Sequence, residues 1–439
     1  MTLLDAFRRY LSSLHLPRGR ALVAVSGGPD SVALLDLMYR TLDFHQLDLV
    51  VAHFDHGIHP ASDRVARGVR ALAESYGLVY AEGCGELGSD ATETAAREAR
   101  YAWLESTRLS LGASLILTAH HADDQAETVL MRVLAGSGTA GLAGMSPRGA
   151  TLVRPLLPFR REAVVGYVRS QGLQVWSDPA NQNPRHLRSW IRGDVLPMLR
   201  GRLPGVDAAL IALGRHAARD RSAWNAALDL LPGVDFRLER DGFSVAARTL
   251  SGYDSTLGET VLMTAARRVG CRLGPARAAR VLRVAARGAS GATLPLGEGW
   301  AAEIAFGRVV VSQVAPVRAA PWTLAGPQGE GWWGRWQLRW TLEPAPARQE
   351  RGGLTAWIRP LPLLVRSWAA GERLRPLGGT GRRLIVRCFQ DARVPRSRRA
   401  GWPVLADADG VVWVPGVCRS DALLPESGME AVRIDAEYA

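Results

Sequence analysis

The chain has 439 residues, enough for about three domains at roughly 150 residues each. Hydrophobic residues make up 47% of it and charged residues 22%, an ordinary globular balance that excludes a disordered or collagen-like chain. Its 54 basic residues, every one an arginine, outnumber 42 acidic ones for a net charge of +12; this favours a polyanionic partner and excludes lysine as Schiff-base nucleophile, general base or phosphate ligand.

The chain opens on MTLLDAFRRYLSS, without the charged-then-apolar layout of a signal peptide. Up to about residue 200, apolar runs alternate with helical stretches. ALVAV (21–25), DLVVAHF (48–54), LVYAEG (78–83) and SLILTAH (114–120) are short and rich in Val, Ile and Leu, as buried parallel strands are. Helices are predicted over 31–44, 62–76, 92–111 and 161–171, the third placing Ala95, Ala99, Ala102 and Trp103 on one face. This alternation predicts an α/β domain, a parallel sheet covered on both sides with ligands at the carboxyl ends of its strands.

Beyond residue 200, segments 205–232 and 257–288 read as helical around a strand-like piece, 235–247. Proline and glycine near 315 and 350 mark linkers and turns, and the tail from 362 is strand-like. The expected organisation is an α/β domain over 1–200, a mostly helical middle domain over 201–315 and a small, basic α+β domain over 316–439. No run approaches the ~18 apolar residues of a spanning helix, so no membrane partner is expected. Cys84, Cys271, Cys388 and Cys418 form no CxxC pair, which predicts reduced thiols and a cytoplasmic location.

Ser26-Gly27-Gly28-Pro29-Asp30-Ser31 lies between the first strand and the first long helix. Its glycines admit close approach of a phosphate, the helix N-terminus offers amides and a positive dipole end, and Ser26 and Ser31 add hydroxyls. A plain strand-to-helix turn capped by Asp30 or Ser31 is the competing account. The loop matches neither GxxxxGK[ST] nor GxGxxG. At the end of the fourth strand, His120-His121-Ala122-Asp123-Asp124-Gln125-Ala126-Glu127 puts Asp123 and Glu127 one turn apart with Asp124 beside them. Clustered carboxylates suit a Mg²⁺ ion bridging triphosphate oxygens, and they also suit the helix dipole. A zinc site from His53, His56, His59, His120 and His121 is the weaker alternative.

Arg97 and Arg100, three apart on one helix, and Arg188 and Arg192 in LRSWIR are either solvated or clamp a nucleotide; spacing does not decide. Residues 366–399 hold ten arginines against Glu372 and Asp391. Arg373, Arg375, Arg382, Arg383, Arg387, Arg396, Arg398 and Arg399, with Phe389, Trp368 and Trp402 interleaved, are read as a nucleic-acid surface on which the aromatic rings stack on unpaired bases.

SGGPDS (26–31), HFDHG (53–57), AREARY (96–101), TAHHADDQAETVLMRVLAGSGTAGLAGM (118–145), RPLL (154–157), SDPAN (177–181) and RSWIR (188–192) stand in the order seen in bacterial tRNA(Ile)-lysidine synthases. GERLRPLGG…VPRSRRAGWPVLADADGVVWVPG (371–416) resembles that family's terminal domain. The resemblance covers the first domain and the last seventy or so residues, and residues 201–315 contribute no motif. It implies a Rossmann-like sheet with the pyrophosphate-releasing loop (PP-loop) of the N-type ATP-pyrophosphatases. It further implies two steps at the wobble cytidine of tRNA(Ile) with a CAU anticodon. ATP adenylates the base and releases pyrophosphate; L-lysine then displaces AMP.

The same resemblance makes Asp30, Arg97, Arg100, Asp123, Asp124, Glu127 and Arg192 catalytic candidates. Ser26 to Ser31, His53 and His120 become ATP-binding candidates, with Asp30 and Asp124 as Mg²⁺ ligands. A homodimer is a further open expectation. Ser189 stands where the family pattern has Asn, and arginines replace the lysines expected in the last domain. Cys418 is assigned no role. Competing readings are another enzyme of the superfamily, such as a tRNA thiolase or an amidotransferase, and a non-catalytic tRNA-binding protein. Paired cysteines, a nucleophilic cysteine module or broken loops would mark these, and none is present.

Overall fold

The computed structural model describes residues 2–55, 62–85, 93–176, 187–239, 241–288, 290–314, 319–360 and 362–438. The chain divides into two compact units, Met1–Ser222 and Ala223–Ala439. The division falls inside a long helix rather than near residue 200, and the expected middle and C-terminal parts share one unit.

The first unit runs α1 (Leu3–Ser13), β1 (Gly19–Ala24), α2 (Pro29–Tyr39), α3 (Leu42–His45), β2 (Leu47–Asp55), α4 (Ser62–Ser75), β3 (Val79–Cys84), α5 (Glu93–Ser110), β4 (Leu115–Leu117), α6 (Ala122–Leu134), β5 (Leu152–Val153) and α7 (Arg161–Ser170). It closes with α8 (Leu187–Trp190), a π-helical turn (Ile191–Val195), α9 (Leu196–Arg202) and the start of α10 (Val206–Leu230). The sheet order is β3-β2-β1-β4-β5, all parallel. Leu22 pairs with Val50 on one side and Ile116 on the other. The chain works outward from β1 to β3, then α5 returns it to β4 on the opposite side. Connections therefore diverge between β1 and β4, where an open parallel sheet leaves a crevice for ligands.

Period-two alternation puts Leu22 on one face with Val50, Leu104 and Ile116, and Val23 on the other with Leu34, Leu37 and Leu117. Helix α2 is apolar nearly all round and is correspondingly buried, Val32 to Leu35 being inaccessible. The acid in its middle, Asp36, is 1% exposed and accepts hydrogen bonds from Tyr76 Oη (2.6 Å), Arg40 Nε (2.8 Å) and Tyr167 Oη. That satisfied charge pins α2 to the helices beside it.

The second unit begins with β6 (Arg237–Glu239), β7 (Gly242–Ala246), α11 (Ala247–Gly252), α12 (Ser255–Arg268), α13 (Pro275–Ala286), β8 (Thr293–Gly297), β9 (Trp300–Ala305) and β10 (Arg308–Gln313). Its helices pack on a five-stranded antiparallel sheet, β6-β7-β10-β9-β8. Helix dominates this part, as expected, but β8 to β10 are additions. WAAEIA carries little strand propensity, and pairing on both sides overrides it.

The remainder comprises β11 (Trp322–Leu324), β12 (Gln328–Trp333), β13 (Trp336–Pro344), β14 (Thr355–Ile358), β15 (Leu363–Ser367), β16 (Arg373–Leu374), β17 (Arg383–Leu384), α14 (Ile385–Asp391), α15 (Arg396–Arg399), β18 (Pro403–Ala406), β19 (Val411–Val414), β20 (Cys418–Arg419) and β21 (Glu430–Tyr438). Two sheets, β11-β15-β18-β19-β20 and β12-β13-β21-β14, enclose Trp333, Trp336, Leu338, Trp413 and Ile434. The small α+β architecture is as expected.

Candidate active site

Both motif loops sit at the carboxyl ends of the strands flanking the crevice: residues 26–31 follow β1, and residues 118–127 follow β4 and open α6. In the first, Gly27 has φ +86°, and a Cβ there would lie 2.7 Å from Val65 Cγ1. Its carbonyl accepts from Trp176 N at 2.9 Å, so glycine is required by packing as well as by backbone conformation. Around Gly28 a Cβ would meet only Ser26 Oγ, at 3.7 Å, leaving that side open. Gly28 is the N-cap of α2, with Pro29 in the first turn; neither Asp30 nor Ser31 caps it. Ser31 instead ties the loop internally, donating from Oγ to Gly28 O (2.9 Å) and accepting from Ser26 N (3.2 Å). Ser26 is exposed.

Asp30 projects from this first turn. Its Oδ1 is buried with no hydrogen-bond partner among the described residues, while Oδ2 lies 3.7 Å from His121 Nε2 and 3.8 Å from Arg161 Nε. Burial pushes its carboxyl above the usual range, with His121 and Arg161 only partly opposing the shift.

In the second loop, His121 is the N-cap of α6 and forms a reciprocal box with Asp124: Asp124 N donates to the ring (3.3 Å) and His121 N to Asp124 Oδ2 (3.0 Å). Two arginines cover the carboxylates. Arg188 donates from Nε to Glu127 Oε2 (2.9 Å) and from Nη2 to Asp124 Oδ1 (2.9 Å). Arg192 donates from Nε to Glu127 Oε1 (2.5 Å) and from Nη2 to Asp124 Oδ1 (3.0 Å) and Glu127 Oε2 (2.8 Å). Burial of Asp124 would raise its pKa; His121, Arg188 and the His121 amide outweigh that and hold it below the usual range. Asp123 points elsewhere, pairing with Arg160 Nη2 (2.8 Å) and accepting from Arg161 N (2.8 Å). Arg160 and Arg200 are in turn held by Asp207 at 2.8 and 2.9 Å.

On α5, Arg97 and Arg100 lie 4.9 and 5.3 Å from the Tyr101 ring centroid, and no carboxylate pairs with either among the described residues. Burial holds the Arg100 guanidinium below its ordinary value, and Arg97 and Arg188 push the same way. Arg154, directly after β5, is lowered likewise, by burial and by Arg97. Under-neutralised guanidiniums at this sheet edge suit an anion. His120 contacts Thr118 Oγ1 at 3.0 Å and is driven by burial to about 3, so it is neutral at physiological pH. His53 is 4% exposed and turned onto Val25 O at 2.8 Å, bracing the start of the nucleotide loop.

The structure thus gathers Asp30, Asp124, Glu127 and Arg192, with Arg97, Arg100 and His120 on the same edge. Residues 56–61 and 177–186, hence His56, His59 and SDPAN, lie outside the described residues. Among the described residues no group of three His, Cys, Asp or Glu is placed to hold a metal ion. His121, named from the sequence only within the zinc alternative, is instead the cap of α6, which the capping-box spacing to Asp124 signals; sequence reasoning missed Arg160, Arg161, Arg200 and Asp207, which no local pattern signals.

Part of the basic segment reads differently once folded. Phe389 is inaccessible, with Trp368 and Trp402 edge-on at 5.6 and 5.9 Å, so it is a core residue and not a base-stacking platform. Helical spacing on α14 sends Ile385, Cys388 and Phe389 inward and Arg387 outward. Both indoles are tethered, Trp368 Nε1 to Arg399 O (2.8 Å) and Trp402 Nε1 to Pro415 O (2.9 Å). Arg399 is buried and donates twice to Val394 O, at 3.0 and 2.8 Å, which removes it from a phosphate surface. Arg398 is neutralised by Glu239 and Asp241. Arg373, Arg375, Arg382, Arg383, Arg387 and Arg396 are exposed, with Arg375 and Arg383 paired to Asp421 and Asp391.

A nucleotide loop after β1, an acidic helix after β4 and the crevice between them define an ATP-using PP-loop domain. A PP-loop domain model matches residues 4–199, and a TilS substrate C-terminal domain model matches residues 363–436. The tRNA(Ile)-lysidine synthase of Symbiobacterium thermophilum is 34% identical, over 99% of this chain and 98% of its own. Those of Geobacter sulfurreducens (32%, over 95% and 93%) and Methylococcus capsulatus (31%, over 94% and 92%) align similarly. The chain belongs to the tRNA(Ile)-lysidine synthase family, ATP-using ligases that modify tRNA.

Proposed function

We propose that this chain joins L-lysine to the wobble cytidine of tRNA(Ile) bearing a CAU anticodon. ATP first adenylates the carbonyl oxygen of the base, releasing pyrophosphate. The ε-amine of lysine then forms the new carbon–nitrogen bond at the activated carbon, and AMP leaves with the oxygen. The observation that carries this reading is the Asp124–Glu127 pair, two buried carboxylates whose oxygens accept from two guanidiniums and, at Asp124 Oδ2, from the His121 amide. Such a pocket suits an alkylammonium.

Ser26 and the open side of Gly28 suit the β- and γ-phosphates at the α2 N-terminus. Arg97 and Arg100 suit negative charge developing at the α-phosphate. Asp124, held below the usual range, is suited to anchoring an ammonium rather than taking its proton. Mg²⁺ is the implied metal. Asp30 fits it, because its unpartnered buried oxygen and raised pKa mark a charge that a cation would relieve. Asp124 fits it poorly, since both its oxygens already accept N–H bonds. When bound, Mg²⁺ would neutralise triphosphate charge.

Arg373, Arg375, Arg382, Arg383, Arg387 and Arg396 are our phosphate contacts for the tRNA. We place the protein in the cytoplasm, where the thiols of Cys271, Cys388 and Cys418 stay reduced. Sedimentation tests the homodimer. The deciding assay supplies ATP, Mg²⁺ and tRNA(Ile) transcript with a CAU anticodon, and follows pyrophosphate and labelled lysine. Lysine-dependent labelling, absent with a methionine tRNA of the same anticodon, supports the reading. Pyrophosphate release without lysine transfer points to a sister enzyme using another nucleophile.

A further inference from the structure

The carboxylates assigned to the substrate amine are not free to receive it. Asp124 Oδ1 accepts from both arginines, Asp124 Oδ2 from the His121 amide, Glu127 Oε1 from Arg192 and Glu127 Oε2 from both arginines. Asp124 and Glu127 are 8% and 2% exposed, so water does not compete for these sites. An ammonium therefore enters only by displacing a guanidinium.

Arg188 is the more buried of the two, with 23% of its side chain accessible against 48% for Arg192. It bridges the two acids with two different nitrogens, a geometry that the planar fork of arginine permits and a lysine cannot reproduce. It projects from α8, a single turn that passes into the π-helical turn Ile191–Val195. One short element thus carries both cations.

We infer that Arg188 is a specificity-determining residue, a resident cation that occupies the amine pocket until the substrate ammonium displaces it. The inference rests on the reading that Asp124 and Glu127 hold that amine. A ligand that binds only when the pocket is open has its apparent affinity reduced by the open fraction. Lysine, with an α-carboxylate and a four-carbon stem to contribute further contacts, overcomes that penalty. Ammonium ion and methylamine, which offer charge alone, do not.

The test is steady-state kinetics of the full-length enzyme with saturating ATP and tRNA. Arg188→Ala is expected to lower the KM for lysine about tenfold, the scale of one charge-assisted hydrogen-bonded partner removed. Added guanidinium chloride should then compete with lysine at concentrations at least tenfold below those needed with the native enzyme, because it refills the vacated position. A merely structural role for Arg188 would not produce competition by guanidinium. An unchanged or raised KM for lysine in Arg188→Ala overturns the inference. If that variant does not fold, Arg188→Lys is read the same way: a lowered KM supports the inference, and an unchanged or raised KM overturns it. Glu127→Gln separates the two levels. A raised lysine KM there, with no fall in the Arg188 variants, defeats the inference alone. An unchanged lysine KM in Glu127→Gln defeats the pocket assignment beneath it.

Discussion

Two arginine-rich regions of this molecule use the same side chain to opposite ends. Around α6, Arg160, Arg188, Arg192 and Arg200 are consumed by Asp123, Asp124, Glu127 and Asp207 in a half-buried lattice of alternating charge. Across residues 366–399, most arginines stay in solvent, whereas Phe389 is buried and Trp368 half-buried. Counting charge along the chain singles out only the second region. What decides the role of an arginine is whether a carboxylate from a distant segment reaches it, and that is a property of topology.

The sharpest way to break the contrast is Asp30→Ala. Losing this carboxylate, whose buried Oδ1 has no hydrogen-bond partner among the described residues, should cut ATP-dependent turnover by roughly a thousandfold or more, measured as pyrophosphate release, with melting temperature nearly unchanged. Phe389→Ala should instead cost about 3–5 kcal/mol of stability in urea unfolding, as for a core aromatic. Were Phe389 a stacking platform, tRNA affinity would fall while stability held. Gly27→Ala should destabilise by about 1–3 kcal/mol, from positive φ and the approach to Val65. Gly28→Ala, with space for a methyl, should leave stability alone and raise the KM for ATP.

Smaller effects sharpen the other side. Replacing Arg373, Arg382 and Arg396 together by Ala should reduce the slope of log K against log salt for tRNA binding by about 3, roughly one for each phosphate contact, without changing ATP affinity. Arg399→Ala, made in a buried arginine, should leave that slope untouched. The last prediction is a pH dependence. His120 is held neutral to about pH 3 when folded, whereas an unfolded histidine protonates near pH 6.5. The unfolded state therefore binds the extra proton between those values. Stability should fall as pH drops through that window, by up to about 1.4 kcal/mol per unit. Urea melts of His120→Gln at pH 7 and pH 5 should show a smaller difference than the native chain.

The parallel sheet and its two motif loops were legible in sequence because β1 and β4 are continuous apolar runs, each followed at once by its loop. Asp30 and the α6 carboxylates were legible for the same reason, since a loop at the carboxyl end of a strand has one place to go. Strands β8 to β10 were not. Alanine-rich segments such as 300–305 become strands only through their neighbours. Arg160, Arg200 and Asp207 were invisible as site residues because what ties them to α6 is Asp123, which lies tens of residues away in the chain. Phe389 and Arg399 were misread because interleaved charge and aromaticity describe composition, whereas helical period describes direction.

By itself, then, the sequence determined the α/β class, the nucleotide loop, the acidic helix and the basic excess, because each follows from short-range pattern: apolar period, glycine at a tight turn, carboxylates one helical turn apart. Only the tertiary structure decided that Arg188 and Arg192 close over Asp124 and Glu127, and which C-terminal arginines remain available. Both depend on burial and on charge pairs between segments far apart in the chain, and the desolvation that gives those pairs their strength exists only once the chain has folded around them.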